Sequence, residues 1–347
     1  MTIRVLIVDD SALIRSLIGA IVEQQPDMQL VGAAPDAYAA RDMVNKYKPD
    51  VITLDIEMPK VDGLTFLDKL MKARPTPVLM ISTLTEQGAD ATLRALELGA
   101  VDFIAKPKLG ISEGIQQYQE VIVEKIRQVA KAKVERANVS TVTTPARLPL
   151  LSTEKIIAIG ASIGGTEAIK KVLTAMPANS PAVVLTQHMP PGFTTSFAKR
   201  LNGCCSLAVK EAEDGERILP GNAYLAPGAM HLRIVKSGAD YRIELDSEGI
   251  VSGHKPSVDV MFESLVPFAK NVVAAILTGM GKDGAQGLLH IKQNGGFTLA
   301  QDEASCVVFG MPKVAIELNA VTQVKDIHDI TPTLLGYLTQ NNAGSRL

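Results

Sequence analysis

Short apolar segments alternate with helical segments through the first part of the chain, and this alternation restricts the fold more than any other feature. Five such segments are predicted as β-strands, at residues 3–8, 30–33, 51–54, 77–81 and 101–105. Between the first two, apolar side chains recur at helical spacing after Ser11, which suits a helix N-cap. Strands that alternate with helices form a parallel sheet with helices on both faces. We therefore predict an α/β fold here.

Polar residues follow the predicted strands at the points where the strands end. They are Asp9, Asp10, Asp55, Ser82 and Lys106. The carboxyl ends of parallel strands form the ligand crevice of an open α/β sheet. Three carboxylates gathered there repel one another unless a hard cation joins them, and Mg²⁺ prefers oxygen ligands. Individually, acids at strand ends are common and need no function, but five polar residues at this edge favour a site.

The motifs around these residues resemble those of response-regulator receiver domains over residues 1–125. They are Val8-Asp9-Asp10-Ser11, Leu54-Asp55-Ile56-Glu57-Met58-Pro59 followed by Asp62-Gly63, Ser82-Thr83 and Ala105-Lys106-Pro107. The resemblance implies a flavodoxin-like parallel sheet of strand order 2-1-3-4-5. It also implies that Asp55 accepts a phosphoryl group from a histidine kinase, that Ser82 is the switching hydroxyl and that Lys106 contacts the phosphoryl group.

The same resemblance implies a Mg²⁺ site that serves phosphorylation. Asp10 and Asp55 would ligate the ion, Asp9 would act through water, and the backbone carbonyl of Glu57 would complete the set. The bond between Lys106 and Pro107 is a candidate cis peptide.

A second constraining stretch begins at Lys155, where a predicted buried strand runs into a turn and then a helix from about residue 166. The turn, Gly160-Ala161-Ser162-Ile163-Gly164, has the G-x-S-x-G pattern that holds a serine hydroxyl above a sheet. A glycine-rich phosphate loop is the alternative, although a dinucleotide-binding fingerprint favours glycine at position 162.

Two later strand ends offer partners for Ser162. His188 follows the predicted strand 182–186, and Asp283 follows the predicted strand 272–277 and opens a helix at 285–293. His188 is alternatively an ordinary loop residue, with His254 as a rival base, and Asp283 is alternatively a helix N-terminal acid. The order serine, histidine, aspartate differs from that of the α/β-hydrolases, yet roles and geometry define a triad. Backbone N–H groups at residues 279–281 are candidate oxyanion donors.

The C-terminal part resembles the catalytic domain of the chemotaxis protein-glutamate methylesterases. The resemblance rests on Gly160-Ala161-Ser162 with Gly164-Gly165, Gln187-His188-Met189-Pro190-Pro191, Leu225-Ala226-Pro227-Gly228, Lys255-Pro256-Ser257-Val258-Asp259 and Leu277-Thr278-Gly279-Met280-Gly281 with Asp283-Gly284. It implies a Ser162, His188 and Asp283 triad with the Met280 backbone N–H as oxyanion donor. It implies hydrolysis of glutamate γ-methyl esters on chemoreceptors and deamidation of receptor glutamines. Ile163 replaces the family's usual threonine.

The domain organisation expected from these motifs has three parts. A receiver domain covers residues 1–125, the end of a helix and a linker cover 126–152, and a catalytic domain covers 153–341. The catalytic domain is predicted as a doubly wound, mostly parallel α/β fold. Four short strands between residues 204 and 250, separated by Pro-Gly and Ser-Gly turns, are predicted as antiparallel hairpins inserted in it. Leu148, Leu150 and Leu151 leave open whether the linker is docked or free.

Composition limits the partners. A net charge of −2 and the absence of tryptophan argue against nucleic acid. The three cysteines form no metal-ligand spacing and no even framework, and a reducing cytoplasm is the expected setting. No cofactor is expected in the catalytic domain. No apolar run approaches membrane-spanning length, and a monomer is expected. A transcriptional regulator and a scaffold with an inactive hydrolase domain are the alternative functions.

Overall fold

A computed structural model describes residues 2–83, 85–106, 112–134 and 155–343. The chain divides into two compact units, Met1–Val139 and Ser140–Leu347. Pro107, with its candidate cis bond, and most of the predicted linker, including Leu148, Leu150 and Leu151, lie outside the described residues.

The N-terminal unit is an α/β sandwich around one parallel sheet. Its strands are β1 (Ile3–Val8), β2 (Met28–Ala34), β3 (Val51–Asp55), β4 (Val78–Ser82) and β5 (Asp102–Ala105). Its helices are α1 (Ala12–Glu23), α2 (Ala37–Tyr47), α3 (Gly63–Ala73), α4 (Glu86–Glu97) and α5 (Ser112–Val129). The strand order β2-β1-β3-β4-β5, with every pair parallel, confirms the predicted topology.

The local sequence explains where these elements begin. All residues of β3 and β4 are buried, as expected for central strands covered on both faces. The side chains of Ser11, Asp36 and Asp62 accept hydrogen bonds from backbone N–H groups at the starts of α1, α2 and α3. Each cap thus turns the chain from a strand end into the following helix.

The C-terminal unit contains a larger parallel sheet and a separate hairpin. Its strands are β6 (Ile156–Ala161), β7 (Ala182–Gln187), β8 (Ala208–Glu211), β9 (Asn222–Leu225), β10 (His231–Ser237), β11 (Asp240–Asp246), β12 (Val272–Ile276), β13 (Phe297–Gln301) and β14 (Gln323–Lys325). Its helices are α6 (Gly165–Thr174), α7 (Phe193–Asn202), α8 (Val258–Leu265), α9 (Ala285–Gln293), α10 (Met311–Glu317) and α11 (Ile327–Ala343). The sheet order is β14-β13-β12-β6-β7-β9-β8, and all its pairs are parallel.

The prediction of antiparallel pairing throughout residues 204–250 is wrong for its first half. β8 and β9 pair in parallel with each other, and β9 pairs in parallel with β7. Residues 212–221 carry the chain from the end of β8 back to the level at which β8 begins, whereas an antiparallel hairpin needs only a tight turn. β10 and β11 do form the expected antiparallel hairpin, with Ser237 paired with Asp240.

The strand order of the large sheet brings the carboxyl ends of three neighbouring strands together. β6 lies between β12 and β7, so the turns after these three strands open at one edge of the sheet. Those turns carry Ser162, His188 and Asp283. Among the described residues, no helix combines the length and the apolar character needed to cross a membrane.

Candidate active site

The turn between β6 and α6 holds Ser162 at the edge of the sheet. The Ser162 backbone N–H donates to the Thr278 carbonyl at 3.0 Å, which ties the turn to the end of the neighbouring strand. Gly164 has φ of 73°, a conformation that favours glycine, and a Cβ there would lie 2.6 Å from Val307 Cβ. The predicted strand-turn-helix elbow is therefore present, and the sharp turn explains its glycine.

Parallel pairing brings His188 to the position beside Ser162. Ala161 is paired with Gln187, so the next residue of each strand enters the same edge, and the His188 backbone N–H donates to the Ala161 carbonyl at 3.2 Å. The buried Gln187 side chain donates from Nε2 to the Ser162 carbonyl at 2.8 Å. The sequence motif alone does not reveal this role of Gln187, which braces the serine turn.

His188 uses one ring nitrogen for Asp283 and leaves the other unbonded. Nε2 lies 2.7 Å from Asp283 Oδ2, while Nδ1 is buried without a hydrogen-bond partner among the described residues. Among the described residues, no hydrogen bond joins Ser162 Oγ to His188. Hydrogen bonds of catalytic groups are often long without substrate, so Nδ1 remains the ring nitrogen free to accept a hydroxyl proton.

Asp283 is buried and held as an acceptor by the start of α8. Its Oδ1 accepts from Ser257 Oγ at 2.7 Å and from Asp259 N at 3.1 Å, and its Oδ2 accepts from Val258 N at 2.6 Å as well as facing His188. Burial raises the pKa of Asp283, but the hydrogen bond and charge of His188 and the bonds from Ser257 and Val258 outweigh it and lower the pKa overall. The carboxylate is thus kept ionised.

His254, the alternative base predicted from the sequence, packs against the His188 ring. The two rings are stacked with centroids 3.6 Å apart and planes 11° apart. The sequence offers His254 as an alternative base but carries no sign of this stacking, which depends on how the chain before α8 returns to the sheet edge. His254 is therefore a neighbour that limits the tilt of the His188 ring.

The glycine-rich turn after β12 approaches the serine closely. A Cβ at Gly279 would lie 2.7 Å from Ser162 Cβ, so only glycine fits there. Gly279 N–H donates to the Val308 carbonyl at 3.1 Å, and the Gly279 carbonyl accepts from Met311 N at 2.8 Å. The Met280 N–H makes no hydrogen bond within the described residues, so it is available as a donor to a substrate oxygen.

The N-terminal unit has a second polar cluster at its own strand ends. Carboxylate oxygens of Asp9, Asp10 and Asp55 all lie within 4.8 Å of one another. Lys106 Nζ donates to Asp55 Oδ2 at 2.7 Å and lies 3.8 Å from Asp9 Oδ2. The Glu57 N–H donates to Asp55 Oδ1 at 3.3 Å. Four of the residues predicted from strand ends therefore meet in one cluster.

The pKa values of the carboxyl groups in this cluster are raised chiefly by burial. Burial raises the pKa of Asp55 to about 6, even though Lys106 opposes the shift. Burial also raises the pKa of Asp9, and its buried Oδ2 has no hydrogen-bond partner among the described residues. An all-oxygen donor set that is short of positive charge fits Mg²⁺.

Ser82, the predicted switching hydroxyl, is buried and engaged by α4. Its Oγ donates to the Gly88 carbonyl at 3.2 Å and accepts from Thr92 Oγ1 at 2.6 Å. The sequence does not single out Thr92, because a buried threonine on a helix carries no local signal. These bonds connect the end of β4 to α4.

Comparisons with known proteins match both parts of the chain. Residues 157–334 match the family described as CheB methylesterase, and residues 5–116 match the response regulator receiver domain. The chain is 60% identical to protein-glutamate methylesterase/protein-glutamine glutaminase 2 of Pseudomonas aeruginosa, covering 100% of both chains. It is 54% identical to the protein-glutamate methylesterase/protein-glutamine glutaminase of Salmonella typhimurium, covering 98% of both.

A solved structure resembles the C-terminal part. The crystal structure of the Thermotoga maritima CheB methylesterase catalytic domain has a TM-score of 0.52 and 39% sequence identity, and the match covers 53% of this chain and 98% of that one. The resemblances predicted from the motifs are thereby confirmed at the level of family.

Proposed function

The chain belongs to the CheB methylesterase family and carries a response regulator receiver domain, and from this premise we propose that it hydrolyses glutamate γ-methyl esters on chemoreceptors, releasing methanol. One observation supports this most directly: the His188 ring bonds Asp283 through Nε2 and leaves its buried Nδ1 without a hydrogen-bond partner among the described residues, at the strand end next to that of Ser162. A base that is oriented by a carboxylate activates a hydroxyl nucleophile. The result of the reaction is adaptation in chemotaxis.

In the proposed reaction, Ser162 Oγ attacks the ester carbonyl carbon while its proton moves to His188 Nδ1. Asp283 stabilises the resulting imidazolium, and the Met280 N–H donates to the oxyanion. When the tetrahedral intermediate collapses, the bond to the methoxy oxygen breaks and methanol leaves with the proton from His188. Water, deprotonated by His188, then attacks the acyl-enzyme, and Ser162 recovers its proton as the glutamate carboxylate departs.

The same residues suit deamidation of receptor glutamines. The γ-carbonyl of glutamine carries an amine where the ester carries a methoxy group, and His188 can protonate that amine as it leaves as ammonia. The names of the relatives include this glutaminase activity.

The receiver domain is proposed to control the hydrolase through phosphorylation of Asp55 by a histidine kinase. Asp10, Asp55 and the Glu57 carbonyl would hold Mg²⁺, and Asp9 would contact it through water; when bound, the ion supplies positive charge that offsets the carboxylates and the incoming phosphoryl oxygens. Lys106 would contact the phosphoryl group, and Ser82 would transmit its presence toward α4.

Four further expectations belong to this proposal. The kinase and the receptor segments place the chain in the cytoplasm. The chain acts as a monomer without inserting in a membrane or binding nucleic acid. Its receiver domain is joined by the end of a helix and a linker, residues 126–152, to the catalytic domain at 153–341. No cofactor is assigned to the catalytic domain.

Methanol release from methylated receptor membranes, measured with and without acetyl phosphate, tests the proposal. The wild-type chain should release methanol faster with the phosphodonor. Ser162→Ala should lose activity by several orders of magnitude, because the nucleophile is gone. Ser196→Ala, which removes a hydroxyl from α7, is the matched control and should retain activity. Full activity in Ser162→Ala would overturn the serine assignment.

A further inference from the structure

Another histidine, His231, lies completely buried at the start of β10 and has two backbone partners. Its Nδ1 accepts from the Ser257 N–H at 3.2 Å, and its Nε2 lies 2.8 Å from the Gly249 carbonyl. Because a backbone N–H only donates and a carbonyl only accepts, Nδ1 carries no proton and Nε2 carries one. His231 is therefore a neutral imidazole of defined tautomer that holds the backbone of Ser257.

The Ser257 hydroxyl is also buried, and it both donates and accepts a hydrogen bond. It donates its proton to Asp283 Oδ1 at 2.7 Å and accepts from the Val260 N–H at 3.4 Å, as the N-cap of α8. The bond to Asp283 is the shorter of the two and involves an ionised acceptor, and such bonds are the stronger kind. The hydroxyl therefore does more than begin a helix.

The bonds to Asp283 are divided between its two oxygens. Ser257 Oγ and Asp259 N reach Oδ1, while Val258 N and His188 Nε2 reach Oδ2. Rotation of the carboxylate would break bonds at both oxygens. Ser257 supplies the one side-chain donor on Oδ1 among the described residues, and together with the two backbone donors it fixes which oxygen faces His188.

We propose that Ser257, fixed by His231, is a positioning residue for the hydrolysis, acting through Asp283 on the orientation and basicity of His188. The inference rests on the proposed function, because it assigns a role within that reaction. The hydroxyl is fully buried and bonds Asp283 and Val260, so its contribution should fall on the chemical step and leave substrate binding unchanged. The connected set is His231, Ser257, Asp283 and His188.

Two substitutions at position 257 separate this role from helix capping. Glycine is a nearly adequate N-cap, costing only a few tenths of a kcal/mol relative to serine, but it lacks the hydroxyl. Ser257→Gly should therefore lower kcat about ten- to hundredfold, the range expected for a lost hydrogen bond to a charged group, with KM little changed and the chain still folded. Ser257→Thr restores the donor and should recover most of the kcat.

Ser264→Ala is the matched control. Ser264 lies on the same helix and bonds the Met261 carbonyl and the Ile234 N–H, without contact to Asp283. Its loss should leave kcat near the wild-type value. The nitrogen NMR spectrum of the full chain should also show His231 as a neutral ring protonated at Nε2.

The outcomes separate the two proposals. If wild type releases no methanol, the proposed function fails. If wild type is active and Ser257→Gly keeps wild-type kcat, or raises KM alone, the positioning role is overturned and the proposed function stands. Equal losses of kcat in the Gly and Thr variants, or a His231 ring that is protonated at Nδ1, would also overturn it.

Discussion

Asp283 Oδ2 lies 2.7 Å from His188 Nε2, whereas the neighbouring carboxylate of Asp259 accepts from the Gly287 N–H at 2.8 Å instead. Both acids are at the junction of α8 and α9, where Asp283 is buried and Asp259 is half-buried. Burial raises the pKa of Asp259. By contrast, the hydrogen bonds that Asp283 accepts and the charge of His188 lower the pKa of Asp283. Two adjacent carboxylates are thus given different roles by their hydrogen bonds.

This difference predicts that Asp283→Asn and Asp259→Asn have unequal effects. The amide in Asp283→Asn would keep the packing but remove the charge that orients and stabilises the His188 imidazolium, so kcat should fall by about a thousandfold to ten-thousandfold. Asp259→Asn is the control, because the Asp259 side chain does not contact His188 within the described residues, and its kcat should change little. Methanol release measures both. Similar losses in the two variants would contradict the assignment of Asp283.

The stack of His254 on His188 predicts a smaller effect at position 254. An aromatic pair contributes about 0.5–1.5 kcal/mol beyond burial, so His254→Ala should lower kcat about two- to tenfold by letting the His188 ring tilt. His254→Phe keeps a planar ring and should retain more activity than alanine. If the Phe variant is as impaired as the Ala variant, stacking does not explain the effect of His254 on kcat. The ring nitrogens of His254 would then be required.

The residues proposed as the triad are brought to one edge of the sheet, as the sequence predicts, because the signal is local and the topology is simple. Ser162, His188 and Asp283 each follow a buried apolar run, and parallel strands gather such ends at one edge. The same reasoning locates Asp9 and Asp55 in the N-terminal unit. In both units the prediction needs only strand position and direction.

Contacts that depend on the path between elements cannot be predicted this way. Ser257 is 26 residues from Asp283, and their bond exists only because α8 packs with its first turn toward the end of β12. The parallel direction of β8 and β9 escapes prediction for the same reason, since the pattern of a short strand does not encode which neighbour it joins. Thr92 and Gln187 bond across elements in a similar way.

The cluster around Asp55 predicts site-specific phosphorylation of the receiver domain. Asp55→Asn should incorporate no phosphate from labelled acetyl phosphate, and stimulation of methanol release should be lost, because the carboxylate nucleophile is absent. Asp42→Asn, on the exposed surface of α2, is the control and should be phosphorylated normally. Phosphate found in Asp55→Asn at the wild-type level would assign the phosphoacceptor to another residue.

The raised pKa of Asp9 and its buried Oδ2, which accepts no hydrogen bond among the described residues, predict that this residue strengthens Mg²⁺ binding. Calorimetric titration should show Mg²⁺ binding weakened about ten- to hundredfold in Asp9→Asn, the range expected when a ligand's supporting contact is removed. Asp68→Asn is the control, since Asp68 pairs with Lys72 on α3 away from the cluster. Chelation with EDTA should prevent phosphorylation, and added Mg²⁺ should restore it. Unchanged affinity in Asp9→Asn would remove that residue from the site.

The closeness of Gly279 to Ser162 predicts that even one methyl group is not tolerated there. In Gly279→Ala, the new Cβ would lie 2.7 Å from Ser162 Cβ and 2.4 Å from Met311 Sδ, closer than such atoms pack. The methionine can move, but the serine turn is held by its own backbone bonds, so the strain must displace Ser162 or the Met280 N–H.

We expect kcat to fall at least about a hundredfold, as when one oxyanion donor is lost. Gly336→Ala, in α11, has no atom within 4 Å of the new Cβ and serves as the control. Circular dichroism melting establishes that both variants are folded. If folded Gly279→Ala hydrolyses the ester at the wild-type rate, the turn after β12 does not contact the reacting carbonyl, and the oxyanion donor must be sought elsewhere.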